Sequence, residues 1–265
     1  MRLRTVAPVV AALVLAGCAV VPSAPVPTLS PQPSPTASAA SPSPADSAAL
    51  PTPAPSPSVT PTPSATPGSP SPSPTVPPDD DRTGSELDEP YTVDGIVVVS
   101  RDHPISRRYE RKHPSDHGLE REVAAALRRL TAAARKDGVT VRVRSAYRSY
   151  AEQDRILKRK IVEYGDEKLA RRYNAEPGKS EHQTGLAVDL WDGVTWGVGV
   201  RNTKVGKWLW KHAREYGFIL RYPPGKEKIT GYAYEPWHFR YLGTEHSLDF
   251  EPNTSLTLEE YLGLA

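Results

Sequence analysis

The chain has 265 residues, a formal charge of +2 and 29 prolines. Twenty of those prolines fall between Pro22 and Pro78, where Asp46 is the only charged residue and Ser, Thr and Ala fill nearly all the rest, so that stretch cannot bury a core. Long apolar runs, fixed-period repeats and sustained heptads are absent, which excludes membrane channels, solenoids and coiled coils; 31 bases against 27 acids in residues 82–265 are too evenly matched for a nucleic-acid partner.

Met1 to Arg4 form a short basic start, and Val6 to Gly17 form an apolar run too short to be a stable membrane anchor. The run ends in Leu15-Ala16-Gly17-Cys18, which resembles the lipobox of bacterial lipoprotein signal peptides. The resemblance implies a signal peptide over residues 1–17 and a lipidated Cys18; the plain alternative is a secretory peptide that happens to carry a Cys. Cys18 is the only cysteine, so any metal in the exported part must be held by His, Asp or Glu, and a cysteine nucleophile is excluded. Residues 18–85 read as a disordered spacer whose Pro-Ser and Pro-Thr pairs favour extended polyproline II. At ~3.1 Å per residue, such a spacer reaches roughly 180 Å at most. Asp79 to Asp81 mark the approach to a folded domain over residues 86–265.

Within that domain Ile96 to Ser100 predict a first strand. Leu119, Val123, Leu127, Leu130 and Ala134 recur at helical spacing, with Gly138 placed to stop the helix and Ser115 or Asp116 to cap it. Val139, Val141 and Val143 alternate with polar residues as in a half-buried strand. Ser149 and Glu152 have capping-box spacing and predict a second helix with Ile156, Leu157, Ile161 and Tyr164 inward. Val205, Trp208, Leu209, His212, Ala213 and Tyr216 form the stripe of a third helix closed by Gly217. Phe218 to Tyr222 and Tyr234 to Tyr241 predict further strands. Without regular βαβ alternation, the expected class is α+β, a small antiparallel sheet flanked by helices.

Ligand-type residues concentrate in two of these segments. In Ser180-Glu-His182-Gln-Thr-Gly185-Leu-Ala-Val-Asp189, a loop histidine and a strand aspartate can converge on one ion, with Gly185 allowing a close backbone approach. In Glu235-Pro-Trp-His238-Phe-Arg-Tyr241, His238 and Arg240 share the strand face opposite Trp237, Phe239 and Tyr241. Two histidines and a carboxylate suffice for a catalytic zinc with an open fourth position.

The pattern S-x-H-x-x-G-x-A-x-D at Ser180 to Asp189, followed by E-x-W-H at Glu235 to His238, resembles the VanY-type D-alanyl-D-alanine carboxypeptidase family of zinc peptidases. Ser145-Ala-Tyr-Arg148-Ser149 with Gln153, and Tyr216 to Tyr222, agree in order and spacing. The resemblance runs from about Ile96 to Gly243. It implies a hedgehog/D-Ala-D-Ala peptidase-like fold, one zinc on His182, Asp189 and His238, and Glu235 as general base. The substrate it implies is peptidoglycan stem peptides ending in D-Ala-D-Ala. In an ideal strand Glu235 and His238 have opposite parity, so Pro236 must mark a bend that turns the carboxylate inward.

Arg148 is the expected clamp for a free C-terminal carboxylate, since a guanidinium offers two parallel charge-assisted hydrogen bonds; the competing role is an ordinary surface ion pair. Ser180 and Gln153 are secondary substrate contacts, and Ser149 a helix cap. His113 and His117 have metal spacing, but Pro114 and Gly118 argue for solvated loop positions, and His103 is expected to behave alike. His212 reads as a buried structural histidine, and the tryptophans mainly as core. The whole reads as a monomeric, extracytoplasmic lipoprotein, anchored to the bacterial membrane through its N-terminal lipid only and reaching into the cell wall. On the same scaffold an L,D-carboxypeptidase or a peptidoglycan endopeptidase is the near alternative. An inactive metal-binding wall-attachment lipoprotein is the distant one, and Glu235 argues against it because a binding module needs no base.

Overall fold

The structure is a computed structural model that describes residues 77, 79–252 and 254–265. The signal-peptide, lipidation and spacer readings over residues 1–76 lie outside the described residues. Among the described residues no helix is long and apolar enough to cross a membrane.

Among the described residues there are two sheets. A short hairpin pairs β1 (Tyr91–Val93) with β2 (Ile96–Val98), and its turn puts Gly95 at a positive φ. The main sheet contains β3 (Arg142–Ser145), β4 (Ala187–Trp191), β5 (Phe218–Leu220) and β6 (His238–Tyr241) in the order β3-β4-β6-β5, antiparallel throughout. Its helices are α1 (Arg121–Lys136), α2 (Tyr150–Tyr164), α3 (Glu167–Tyr173) and α4 (Lys204–His212), followed by the single turns α5 (Glu227–Thr230), α6 (Thr244–Ser247) and α7 (Leu258–Tyr261). The α+β class is as expected.

The predicted stripe of α1 is buried throughout, and it packs with Val205, Trp208 and Leu209 of α4 against Val188, Leu190, Phe218 and Phe239 of the sheet. Gly206 lets α4 sit close on the preceding turn, because a Cβ there would lie 2.0 Å from the Val200 carbonyl oxygen. A second apolar cluster joins the hairpin residues Tyr91, Val93, Ile96 and Val98 to Ile219 of β5 and to Phe250, Leu258 and Leu262 near the C-terminus. That cluster brings α7 back under the sheet.

Several local expectations need correction. The residue before α1 is Glu120, whose carboxylate accepts from the His113 amide; Asp116 pairs instead with Arg128. Ser149 does cap α2 by accepting from the Glu152 amide, but Tyr164 at the far end is exposed. The third helix relaxes into a 3₁₀ turn over Ala213–Tyr216. His103 stacks on the Tyr91 ring and bonds to Ser100, and His212 is half-buried beside Glu215. Trp196 is an exposed indole that stacks on Trp237 under the Arg144 guanidinium. His113 and His117 are exposed, as expected.

Candidate active site

Each site residue is placed by a distinct local feature. Asp189 lies on β4 directly opposite His238 at the start of β6. His182 sits in the 3₁₀ turn Glu181–Thr184, which Gly185 closes at a φ of 72°. A Cβ at Gly185 would come 3.0 Å from the Gly118 carbonyl oxygen and 3.1 Å from the Glu120 nitrogen, so the turn can press against the entry to α1 only with glycine there. Glu235 and His238 are the ends of a tight turn in which the His238 amide donates to the Glu235 carbonyl at 3.1 Å. Pro236 occupies the second position, where its fixed φ is favoured. The strand parity conflict is thus resolved by a turn before the strand begins.

Three donor atoms converge. His182 Nε2 and His238 Nδ1 each lie 3.3 Å from Asp189 Oδ1, and one ligand atom from each residue lies within 4.8 Å of the others. Tetrahedral bonds of about 2.0–2.1 Å to one ion would place ligand atoms about 3.3–3.4 Å apart. Among the described residues His182 Nε2 and Asp189 Oδ1 are buried without a hydrogen-bond partner, which a cation would supply. The rear of each imidazole is held as a metal ligand requires. His182 Nδ1 faces the Ala146 carbonyl, and His238 Nε2 faces Glu181 Oε2 at 3.3 Å, so each ring can direct a lone pair inward.

Glu181 is itself clamped. Its Oε1 accepts from Arg221 Nε at 2.7 Å and from Arg240 Nη1 at 2.9 Å, and Arg221 makes a two-pronged pair with Glu259 of α7 at 2.9 and 2.7 Å. Burial alone would raise the Glu181 carboxyl, but the two guanidiniums hold it well below the usual carboxylate range. Asp189 is likewise buried, and His182 and His238 hold it well below that range. His182 is pushed down to about 4 by burial and by the Arg148 charge. Burial also opposes charge on His238, yet the neighbouring Asp189 and Glu181 carboxylates raise it to about 9. Burial pushes Glu235 up to about 8, with Asp189 adding to the shift against the His238 charge. Glu235 Oε2 stands 3.7 Å from His238 Nδ1, beside the donors but not among the closest three.

His182, Glu235 and His238 line a solvent-open cleft of about 320 Å³ together with Arg148, Gln153, Ser180, Tyr222 and Tyr232, and Asp189 lies behind the two histidines. Arg148 Nε and Gln153 Oε1 are buried without a partner, while Gln153 Nε2 donates to the Ala175 carbonyl at 2.7 Å. The structure therefore brings together all seven residues singled out in this domain. A larger cleft, about 420 Å³, lies between Trp210, Phe218 and Phe250; it is lined mainly by apolar side chains and lies apart from the three-donor cluster.

Sequence reasoning missed Glu181, Arg221 and Glu259, placed Arg240 on the His238 face without its carboxylate partner, and did not single out Tyr222 or Tyr232 as cleft-lining residues. A signal existed for two of them. Arg221 and Arg240 sit among apolar strand residues, where a guanidinium must find a buried carboxylate. Nothing local marked Glu259, which reaches Arg221 from 38 residues away.

Three inward protein donors, a carboxylate beside them and a cleft with room for a substrate are the arrangement of a mononuclear metallohydrolase. A family model described as VanY, D-alanyl-D-alanine carboxypeptidase, matches residues 116–244. The D-alanyl-D-alanine carboxypeptidase of Enterococcus faecalis (strain ATCC 700802 / V583) is 36% identical over 178 residues, 63% of this chain and 65% of that one. The vancomycin resistance D,D-pentapeptidase VanY from the VanB-type resistance cassette, solved as a mutant in complex with Zn(II), is 37% identical with a TM-score of 0.56, over 63% of this chain and 97% of that one. The LdcB LD-carboxypeptidase is 34% identical with a TM-score of 0.56, over 65% of this chain and 92% of that one. The chain belongs to the VanY family of D-alanyl-D-alanine carboxypeptidases. It spans 58% of the length of one curated relative it matches and 65% of another.

Proposed function

We propose that the protein is a zinc-dependent D,D-carboxypeptidase that removes the terminal D-Ala from peptidoglycan stem peptides ending in D-Ala-D-Ala. The observation that carries this reading is the convergence of His182 Nε2, Asp189 Oδ1 and His238 Nδ1, two of them orphaned, next to the Glu235 carboxylate. Relatives that act on D-Ala-D-Ala ends, one of them solved with Zn(II), support the metal and the substrate class.

His182, Asp189 and His238 hold the metal in this reading. Bound there, zinc acidifies a water molecule and polarises the scissile carbonyl. Glu235 takes the proton from the attacking water as the C–O bond forms, then delivers it to the leaving amine as the C–N bond breaks. Arg148 receives the free C-terminal carboxylate, using a guanidinium whose buried Nε has no partner among the described residues. Gln153 Oε1 is an acceptor for a substrate N–H, and Ser180 offers a hydroxyl in the same cleft. The proposal extends to the N-terminus: residues 1–17 as signal peptide, Cys18 as lipid anchor, residues 18–85 as spacer and 86–265 as catalytic domain on the outer side of the membrane.

Mass spectrometry of pentapeptide and tetrapeptide stems incubated side by side tests the specificity. Loss of one alanine from the pentapeptide alone is expected. Cleavage of the tetrapeptide alone would replace this reading with the L,D-carboxypeptidase reading, to which the LdcB likeness points.

Metal loading should also be proton-linked. With His238 raised to about 9, its imidazole carries a proton at pH 7 in the metal-free protein, whereas a ligating imidazole must be neutral. Loading at pH 7 is expected to release about one proton per ion, read by calorimetry in buffers of different ionisation enthalpy. Release of none would show that His238 is already neutral in the empty site.

A further inference from the structure

The matched family segment ends at residue 244, yet a carboxylate beyond it, Glu259, joins the buried ion-pair chain that runs through Arg221 and Glu181 to His238. Glu259 is turned inward by its helix. Thr257 and Glu260 form a capping box at the start of α7, Lys226 pairs with Glu260 at 2.6 Å, and the fully buried Leu258 pins the turn against the hairpin cluster. Glu259 is left 7% exposed, facing Arg221.

The charges in this pocket can be balanced group by group. Arg221 and Arg240 both donate to Glu181 Oε1, and all three side chains are at most 1% exposed. Two guanidiniums on one carboxylate leave a net positive charge buried behind His238, on the side of the imidazole away from the three-donor site. A dication in that site would be repelled by it in a medium that screens poorly. Glu259 supplies the missing negative charge through both of its oxygens. It also occupies Arg221 Nη1 and Nη2, leaving only Nε for Glu181, so Glu181 Oε2 stays available to His238.

We propose that Glu259 is a positioning residue that sets the affinity of the His182, Asp189 and His238 site for zinc by neutralising Arg221 behind Glu181. The inference rests on reading those three side chains as metal ligands. It assigns to the C-terminal turn a part in the metal site that the chain segment 116–244 does not contain.

The test is the zinc dissociation constant of the full chain, measured by competition with a chromophoric chelator. Glu259→Gln, nearly isosteric but uncharged, is expected to weaken zinc binding about 10–100-fold, the usual effect of losing an outer-shell partner. Glu260→Gln loosens the same turn without touching Arg221 and is expected to bind as the wild type does. The double variant Arg221→Gln, Glu259→Gln removes one charge of each sign and is expected to return the constant to within a few-fold of wild type. That double variant decides the matter should Glu259→Gln not fold: a loss of tenfold or more there contradicts the charge-balance account. Equal losses in Glu259→Gln and Glu260→Gln would reduce Glu259 to a structural role. Wild-type binding by Glu259→Gln would overturn the proposal while leaving the metal site standing. Failure of the wild-type chain to bind zinc would instead sink the metal-site reading itself.

Discussion

Replacing Glu235 with alanine is expected to lower turnover by about 10²–10⁴-fold, the contribution of a positioned general base, while zinc content stays at wild-type stoichiometry. The geometry separates the two functions. Glu235 Oε2 is 3.7 Å from His238 Nδ1, whereas the inner donors approach Asp189 Oδ1 at 3.3 Å, so the carboxylate stands beside the metal position and faces the cleft. Its burial matters too. Burial raises the Glu235 carboxyl above the usual carboxylate range, so it holds a proton more firmly than an exposed carboxylate and can keep it until the amine leaves. Metal analysis alongside kinetics checks the point; loss of zinc together with activity would make Glu235 a ligand instead of a base.

Replacing Arg221 with methionine is expected to destabilise the fold by about 3–5 kcal/mol, the typical cost of breaking a buried pair by removing one partner. Arg221 is 1% exposed and links Glu181 to Glu259, so its loss leaves Glu259 without its guanidinium partner and Glu181 with only Arg240 and His238. Two buried carboxylates then face desolvation with too little compensation. Urea unfolding of the metal-free protein reads the effect without confusing it with zinc affinity. A change under about 1 kcal/mol would mean that water or a local rearrangement replaces the guanidinium.

What the sequence revealed and what it hid divide along one physical line. Elements with a strong period were legible: the α1 stripe from Leu119 to Ala134 and the α4 stripe are both buried against the sheet. The convergence of His182, Asp189 and His238 was legible because its residue types are rare in combination and two short segments carry all three. The turn at Pro236 could be foreseen from the parity of Glu235 and His238 alone. By contrast, β1 and α3 were not foreseen, since a three-residue edge strand and a seven-residue helix give little periodicity to read. The Glu181–Arg221–Glu259 chain stayed hidden for a different reason. Its members are 38 to 40 residues apart, and only the packing of α7 beneath the sheet brings them together.

The decisive property is whether hydrolysis follows the metal. Zinc content and alanine release from a pentapeptide stem should be measured on one preparation as zinc is stripped by a chelator and then restored. The account predicts that activity falls in proportion to zinc, returns when about one ion per chain is replaced, and does neither in His238→Ala. Alanine release that persists after zinc has been removed would contradict it.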